Sequence, residues 1–160
     1  AGERQALVVV HCGILQIKLR DLLGLRPEYD LRTANPISVI AAAERHRGTT
    51  FVLPHFGCGF FREALLAGAQ SLNILVDTSS SNSWMAAQPE DMTLEKVFRK
   101  ALDVFGPRRI LFGTDSSTFP RGWRFDILDA QRRAVDACGL GEADKARIFG
   151  ENLMELLQLH

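Results

Sequence analysis

The most informative features of this 160-residue chain are at first the ones it lacks. No apolar run approaches the ~20 residues that a membrane-spanning helix needs, and no basic segment followed by an apolar stretch marks a secretory leader. We therefore expect a soluble, cytoplasmic protein with no membrane partner. An excess of either charge is also missing. Nineteen basic and nineteen acidic residues cancel, so no net field draws the chain to nucleic acid or to an anionic surface. Pairs such as Arg108-Arg109 and Arg132-Arg133 read as solvated faces. Cysteine is scarce: Cys12, Cys58 and Cys138 are odd in number and lack Cys-x-x-Cys spacing. That argues against a disulfide framework and fits a reducing compartment; each reads as a small buried hydrophobe. No strand end opens a Gly-x-Gly-x-x-Gly or a P-loop, and Gly57-x-Gly59 is only a partial match, which counts against a phosphate-binding doubly wound domain.

What is present is ordinary globular material, with 46% apolar and 24% charged residues, enough for one domain with a sizeable core. The chain opens on Ala1 and soon reaches an apolar stretch, so we expect a piece of a longer polypeptide. Its organisation is clearest at Arg109-Ile110-Leu111-Phe112-Gly113-Thr114-Asp115-Ser116-Ser117. An apolar run without alternation predicts a strand buried on both faces, as in parallel sheets. It stops at Gly113-Thr114-Asp115. A carboxylate at such a strand end is poorly hydrated unless something pairs with it, and in α/β proteins that edge collects ligands and catalytic groups.

Three more strands are predicted, over residues 6–10, 50–54 and 72–77. The first ends at His11-Cys12-Gly13 and the second at His55-Phe56-Gly57-Cys58-Gly59. A short helix over 16–23 leads into a long loop of the kind that binds or covers ligands. Asn35 followed by Pro36 is a helix start, with the helix over 37–46, and another follows over 60–69. Thr93 caps the clearest helix, whose Leu94, Val97, Phe98, Ala101, Leu102 and Phe105 keep helical spacing until Gly106-Pro107 stops it. A helix over 126–138 and two short ones, over 142–149 and 152–157, finish the chain, with Asn152 read as the cap of the last. Strand then helix, four times, implies an α/β sheet with parallel pairing. A complete doubly wound domain and half of a (β/α)8 barrel both fit.

His11, His55 and Asp115 each directly follow a buried strand. Strand C-termini of a parallel sheet lie on one side, so these three distant residues converge on one rim. Imidazole nitrogens and a carboxylate suit Zn²⁺ or a similar divalent ion, which lowers the pKa of bound water to about 7. Taken singly, a histidine there is a packing residue and an aspartate a helix cap; the coincidence of three points to a site.

Several segments carry a resemblance: Val10-His11-Cys12-Gly13, Asn35-Pro36, Pro54-His55-Phe56-Gly57, Gly59-Phe60-Phe61-Arg62-Glu63-Ala64-Leu65, Val76-Asp77-Thr78-Ser79-Ser80, Arg109 through Asp115, and Ile148-Phe149-Gly150 with Asn152-Leu153. In this order the chain resembles the C-terminal half of amidohydrolase-related proteins, a metal-dependent (β/α)8-barrel family that holds hydrolases and non-oxidative decarboxylases. The resemblance implies that residues 1–160 are one TIM-barrel-type half-barrel of four βα units, strands five to eight, with the N-terminal half absent. It puts His11 at the fifth-strand metal ligand, His55 at the histidine that orients water or a substrate carbonyl, and Asp115 at the aspartate that binds metal and shuttles a proton. The implied cofactor is a divalent metal, zinc first, and the implied partner a small carbonyl- or carboxylate-bearing substrate.

The family's His-x-His pair on the first strand is missing, since the four histidines are His11, His46, His55 and His160. The isolated chain is therefore expected to be inactive, and its open sheet edge to pair with another copy as a homo-oligomer. Arg62, Ser79, Trp84 and Arg121, with Ser80, Phe119 and Trp123 beside them, are the expected substrate contacts. An arginine there can hold a substrate carboxylate through two parallel hydrogen bonds. The reading from sequence is a metal-dependent hydrolase. Its alternatives are a decarboxylase of the same family and a non-catalytic half-barrel assembly module.

Overall fold

The structure, a computed structural model, describes residues 7–15, 18–25, 29–116 and 122–159. Four strands form one sheet: β1 Val8–Val9, β2 Phe51–Leu53, β3 Ile74–Asp77 and β4 Ile110–Leu111. Their order across the sheet is the order along the chain, and each pairs in parallel with its predecessor. A doubly wound sheet reverses its strand order at a switch point. This one has no reversal, so the chain has a TIM-barrel-type arrangement whose four βα units are half the complement of a (β/α)8 barrel.

β2, β3 and β4 are buried on both faces, which is why their sequences show no alternation. Phe51, Leu53, Ile74, Val76 and Ile110 share one core with apolar residues of the helices α2 (Ile37–Arg45), α3 (Phe61–Gln70), α4 (Leu94–Phe105) and α5 (Phe125–Ala137). The opposite row, Val52, Leu75 and Leu111, forms a second cluster. Val9, in β1 between the outward-packed Val8 and Val10, is 64% exposed. Among the described residues no helix is long and apolar enough to cross a membrane.

The helices follow their local signals. Asn35 Oδ1 accepts from Ile37 N–H at 2.9 Å, and Thr93 Oγ1 accepts from Lys96 N–H at 3.2 Å, each satisfying an otherwise unpaired donor of a first turn. The helix α1 spans Lys18–Leu22. The chain's end departs from expectation. Between α6 (Glu142–Ala146) and α7 (Asn152–Leu156) the backbone continues through a π-helical turn, Arg147–Glu151. Asn152 is no cap: it has helical φ and ψ, and its amide donates to Pro107 O at 2.7 Å and Ile110 O at 2.9 Å. Ile148 O in that turn accepts from Phe112 N–H at 3.0 Å.

Arg109 also departs from the solvated face expected of it. Its guanidinium donates to Gly68 O at 2.8 Å, Ile74 O at 3.2 Å, Val104 O at 2.6 Å and Phe105 O at 3.2 Å, and lies 5.1 Å from the Phe105 ring centroid. Four carbonyls, two of them at the C-terminal end of α4, take the place of water.

Candidate active site

The site lies where the strands run out. His11 stands two residues beyond Val9, on the inner row of β1 by the two-residue period of a strand. His55 is placed differently. Pro54 ends β2, and the backbone then has positive φ at His55 (59°), Phe56 (53°), Gly57 (83°), Cys58 (45°) and Gly59 (101°). Left-handed backbone costs a non-glycine residue roughly 1–2 kcal/mol, so such a turn persists only where its surroundings hold it. Here Phe56 is buried against Phe61 and Phe98, with ring centroids 6.1 and 5.3 Å away. Ile14 N–H donates to Cys58 O at 2.7 Å, and Cys58 Sγ donates to Ile14 O at 3.0 Å. Gly13 allows this approach, since a Cβ there would stand 2.0 Å from Cys58 O.

This geometry brings the two imidazoles together, with ring centroids 5.2 Å apart and planes inclined by 66°. His11 Nδ1 lies 3.3 Å from Tyr29 Oη, which also donates to His11 O at 3.4 Å. Burial, followed by the neighbouring His55 ring, lowers the His11 pKa from its ordinary value, against the opposing pull of Asp115 and Asp77. Asp115 is therefore near enough to act on His11 through space. It is exposed, with φ of 54°.

Asp77, the last residue of β3, is the carboxylate that sequence reasoning missed. Its Oδ1 accepts from His55 N–H at 3.0 Å, from Ser79 N–H at 2.8 Å and from the Ser79 hydroxyl. Ser79 Oγ in turn lies 2.8 Å from His55 Nδ1. The rule that singled out Asp115, a carboxylate ending a buried strand, applies equally to Asp77. Gln131 of α5, fully buried, ties the exits of β3 and β4 together. Its amide donates to Thr78 O at 2.8 Å and Gly113 O at 2.9 Å, and its carbonyl accepts from the Thr78 hydroxyl.

The expected substrate contacts fare differently. Ser79 is at the rim but bound to His55 and Asp77. Trp84 is only 4% exposed; it packs on Phe61 at 5.7 Å, and its indole N–H donates to Asn82 Oδ1 at 3.1 Å. It is a core residue rather than a loop contact. Arg62 is exposed in the first turn of α3. Arg121 and Phe119 lie outside the described residues, as does His160. Trp123 is exposed beside Phe125, with ring centroids 6.1 Å apart.

Among the described residues no three His, Cys, Asp or Glu side chains come together as an ion site. His11 and Asp115 fall short of the three or four protein donors that hold zinc. A complete site needs donors beyond those described.

No curated protein matches the chain significantly. Solved structures do. An amidohydrolase from Burkholderia multivorans with bound zinc is 18% identical, with a TM-score of 0.62, over 94% of this chain and 53% of that one. A dihydroxybenzoic acid decarboxylase from Polaromonas sp. JS666, with bound manganese and the inhibitor 2-nitroresorcinol, is 16% identical, with a TM-score of 0.60, over 99% of this chain and 51% of that one. A 2,6-dihydroxybenzoate decarboxylase complexed with 2,6-dihydroxybenzoate is 17% identical, with a TM-score of 0.58, over 99% and 52%. The chain thus spans about half the length of these relatives, and at such identity the likeness is one of fold. The sequence profile of the amidohydrolase family matches residues 1–159, and with that match over nearly its whole length the chain belongs to the amidohydrolase family.

Proposed function

We propose that this chain supplies half of the active-site rim of a metal-dependent hydrolase acting on a small carbonyl- or carboxylate-bearing substrate. It corresponds on this reading to strands five to eight of the barrel. The observation that carries the proposal is the placement of His11 and His55 at the ends of adjacent parallel strands, their rings 5.2 Å apart, with Asp115 acting electrostatically on His11. His11 and Asp115 are the donors this chain would offer to a divalent cation, zinc first, and the remaining donors come from outside the residues described. Such a cation, when bound, acidifies water or polarises a substrate oxygen. The exposed Asp115 carboxylate accepts a proton and returns it to a leaving group, and His55 orients the reacting water or oxygen by hydrogen bonding.

The second reading, a carboxy-lyase, draws on the decarboxylases among the structural relatives; Asp115 would then handle the proton that replaces the lost carboxylate. In either case the exposed Val9 on the edge strand favours completion of the sheet by four further βα units, in the same polypeptide or in a second copy. The three cysteines are free, which suits the cytoplasm.

The test is elemental analysis and turnover of the natural polypeptide that carries these residues, with lactones and aromatic carboxylates as substrates. Asp115→Ala is expected to lower metal occupancy and to abolish turnover. Released carbon dioxide marks the lyase, and a ring-opened or cleaved product marks the hydrolase. Full occupancy and rate in Asp115→Ala would overturn both.

A further inference from the structure

The hydrogen bonds around His55 can be assigned by counting protons. Asp77 Oδ1 already accepts from two backbone groups, His55 N–H at 3.0 Å and Ser79 N–H at 2.8 Å. An oxygen in that position is an acceptor whether or not the other carboxyl oxygen carries a proton. The Ser79 hydroxyl, in contact with the same Oδ1, must therefore be the donor. A serine hydroxyl has one hydrogen, so at its other contact, 2.8 Å from His55 Nδ1, Oγ can only accept. The hydrogen between them belongs to the imidazole.

We propose that Asp77 and Ser79 are positioning residues that hold neutral His55 in its Nδ1–H tautomer, leaving Nε2 on the other edge of the ring as a bare acceptor. The chain runs Asp77, Ser79, His55, and nothing in it depends on a ligand. Its second anchor is the backbone: the Asp77 carboxylate that orients the Ser79 hydroxyl also holds the N–H of the left-handed His55. Ring and main chain are thus fixed by one group. The free histidine side chain in water favours the opposite tautomer, with the hydrogen on Nε2, so it is the hydrogen bond at Nδ1 that imposes this one. On the functional reading above, an Nε2 acceptor takes a hydrogen bond from a water or a substrate hydroxyl. Neutral His55 cannot polarise a carbonyl by donation from Nε2. This narrows its role within that reading to orienting a proton-bearing nucleophile or hydroxyl group.

The test is nitrogen-15 NMR of the imidazole rings in the natural polypeptide that carries these residues, metal-stripped and at a pH where the rings are neutral. His55 is assigned by the loss of its signals in His55→Gln. The expected pattern has a protonated Nδ1 and an unprotonated Nε2. Ser79→Ala is expected to shift the ring toward the Nε2–H form, and Ser79→Thr, which keeps the hydroxyl, to retain the wild-type pattern. A wild-type His55 with its hydrogen on Nε2 overturns the proposal, as does an unchanged pattern in a folded Ser79→Ala. If Ser79→Ala does not fold, the wild-type spectrum alone decides. The readout needs no turnover, so inactivity of the natural polypeptide would sink the catalytic reading and leave the tautomer assignment standing.

Discussion

Gly113 and Ser79 are packed so closely that a Cβ on Gly113 would stand 2.8 Å from the Ser79 Cβ. Gly113 is not among the positive-φ residues, so what it provides is space rather than a special backbone angle. The exit of β4 thereby sets the position of the hydroxyl that holds His55. Gly113→Ala is expected to push Ser79 aside at a cost of about 1–3 kcal/mol, the usual range for overpacking, and to perturb the His55 ring signals. Urea unfolding together with ring NMR checks both, and an unchanged protein would mean that this approach is not needed.

Arg109 is predicted to be a stability residue and not an exchangeable cation. Its fork bonds four carbonyls from α3, β3 and α4. Arg109→Met should cost about 3 kcal/mol, because hydrogen bonds to charged groups are worth roughly 1.5–3 kcal/mol and the carbonyls are left short of partners. Arg109→Lys should recover little, since a compact ammonium cannot reproduce the planar fork. Denaturation midpoints of the two variants test this, and a wild-type midpoint for the lysine variant would refute it.

Asn152 offers a comparison within one side chain. Asn152→Ala loses the bonds to Pro107 O and Ile110 O and is expected to cost about 1–3 kcal/mol. Asn152→Asp keeps the shape, removes both donors and sets an oxygen against two carbonyls, so it should be the less stable of the pair at neutral pH. Thermal unfolding ranks them; the opposite ranking would show that shape matters more than donation here.

Cys12 links stability to alkaline pH. Burial raises its thiol pKa from 9.0 to about 11. Between those values the folded chain holds a proton that the unfolded chain has released. The stabilisation is fully present below pH 9.0 and is lost as pH rises through the folded value. Cys12→Ala is expected to flatten that part of the stability profile, measured as unfolding free energy against pH for both proteins. Identical slopes would remove Cys12 as the cause.

The legible parts of this fold were those written in local pattern. The Thr93 cap and the apolar spacing of α4 appear in the sequence as they do in the structure, as do the runs that became β2 and β3. The rim positions of His11, His55 and Asp115 followed from one rule, that parallel strands end on one side. What stayed hidden were polar groups satisfied by distant partners. Arg109 looked like a solvated cation because its carbonyl partners lie as far back as Gly68. Asn152 looked like a cap because the π turn that brings it under β4 has no periodic signal. Gln131 and Asp77 escaped notice because their roles depend on neighbours supplied by other elements. The left-handed turn at residues 55–59 was hidden for a related reason: Gly57 and Gly59 suit it, but His55, Phe56 and Cys58 adopt positive φ only because contacts from Ile14, Phe61 and Phe98 hold them.

The unbroken strand order has a kinetic side. The registers Val8–Phe51, Phe51–Ile74 and Val76–Ile110 show each pairing closing a single excursion of the chain, the shortest between β2 and β3. Loop-closure entropy grows only as the logarithm of length, so this head start over the longest excursion is about 0.5 kcal/mol. It is reinforced because Leu53 and Ile74 are fully buried, whereas Val9 is largely bare. We expect the β2–α3–β3 unit to be the nucleus from which the outer strands zip on. Leu53→Ala and Ile74→Val should then slow refolding, while truncation of Val9 should leave the refolding rate nearly unchanged; the reverse pattern in stopped-flow traces would place the nucleus elsewhere.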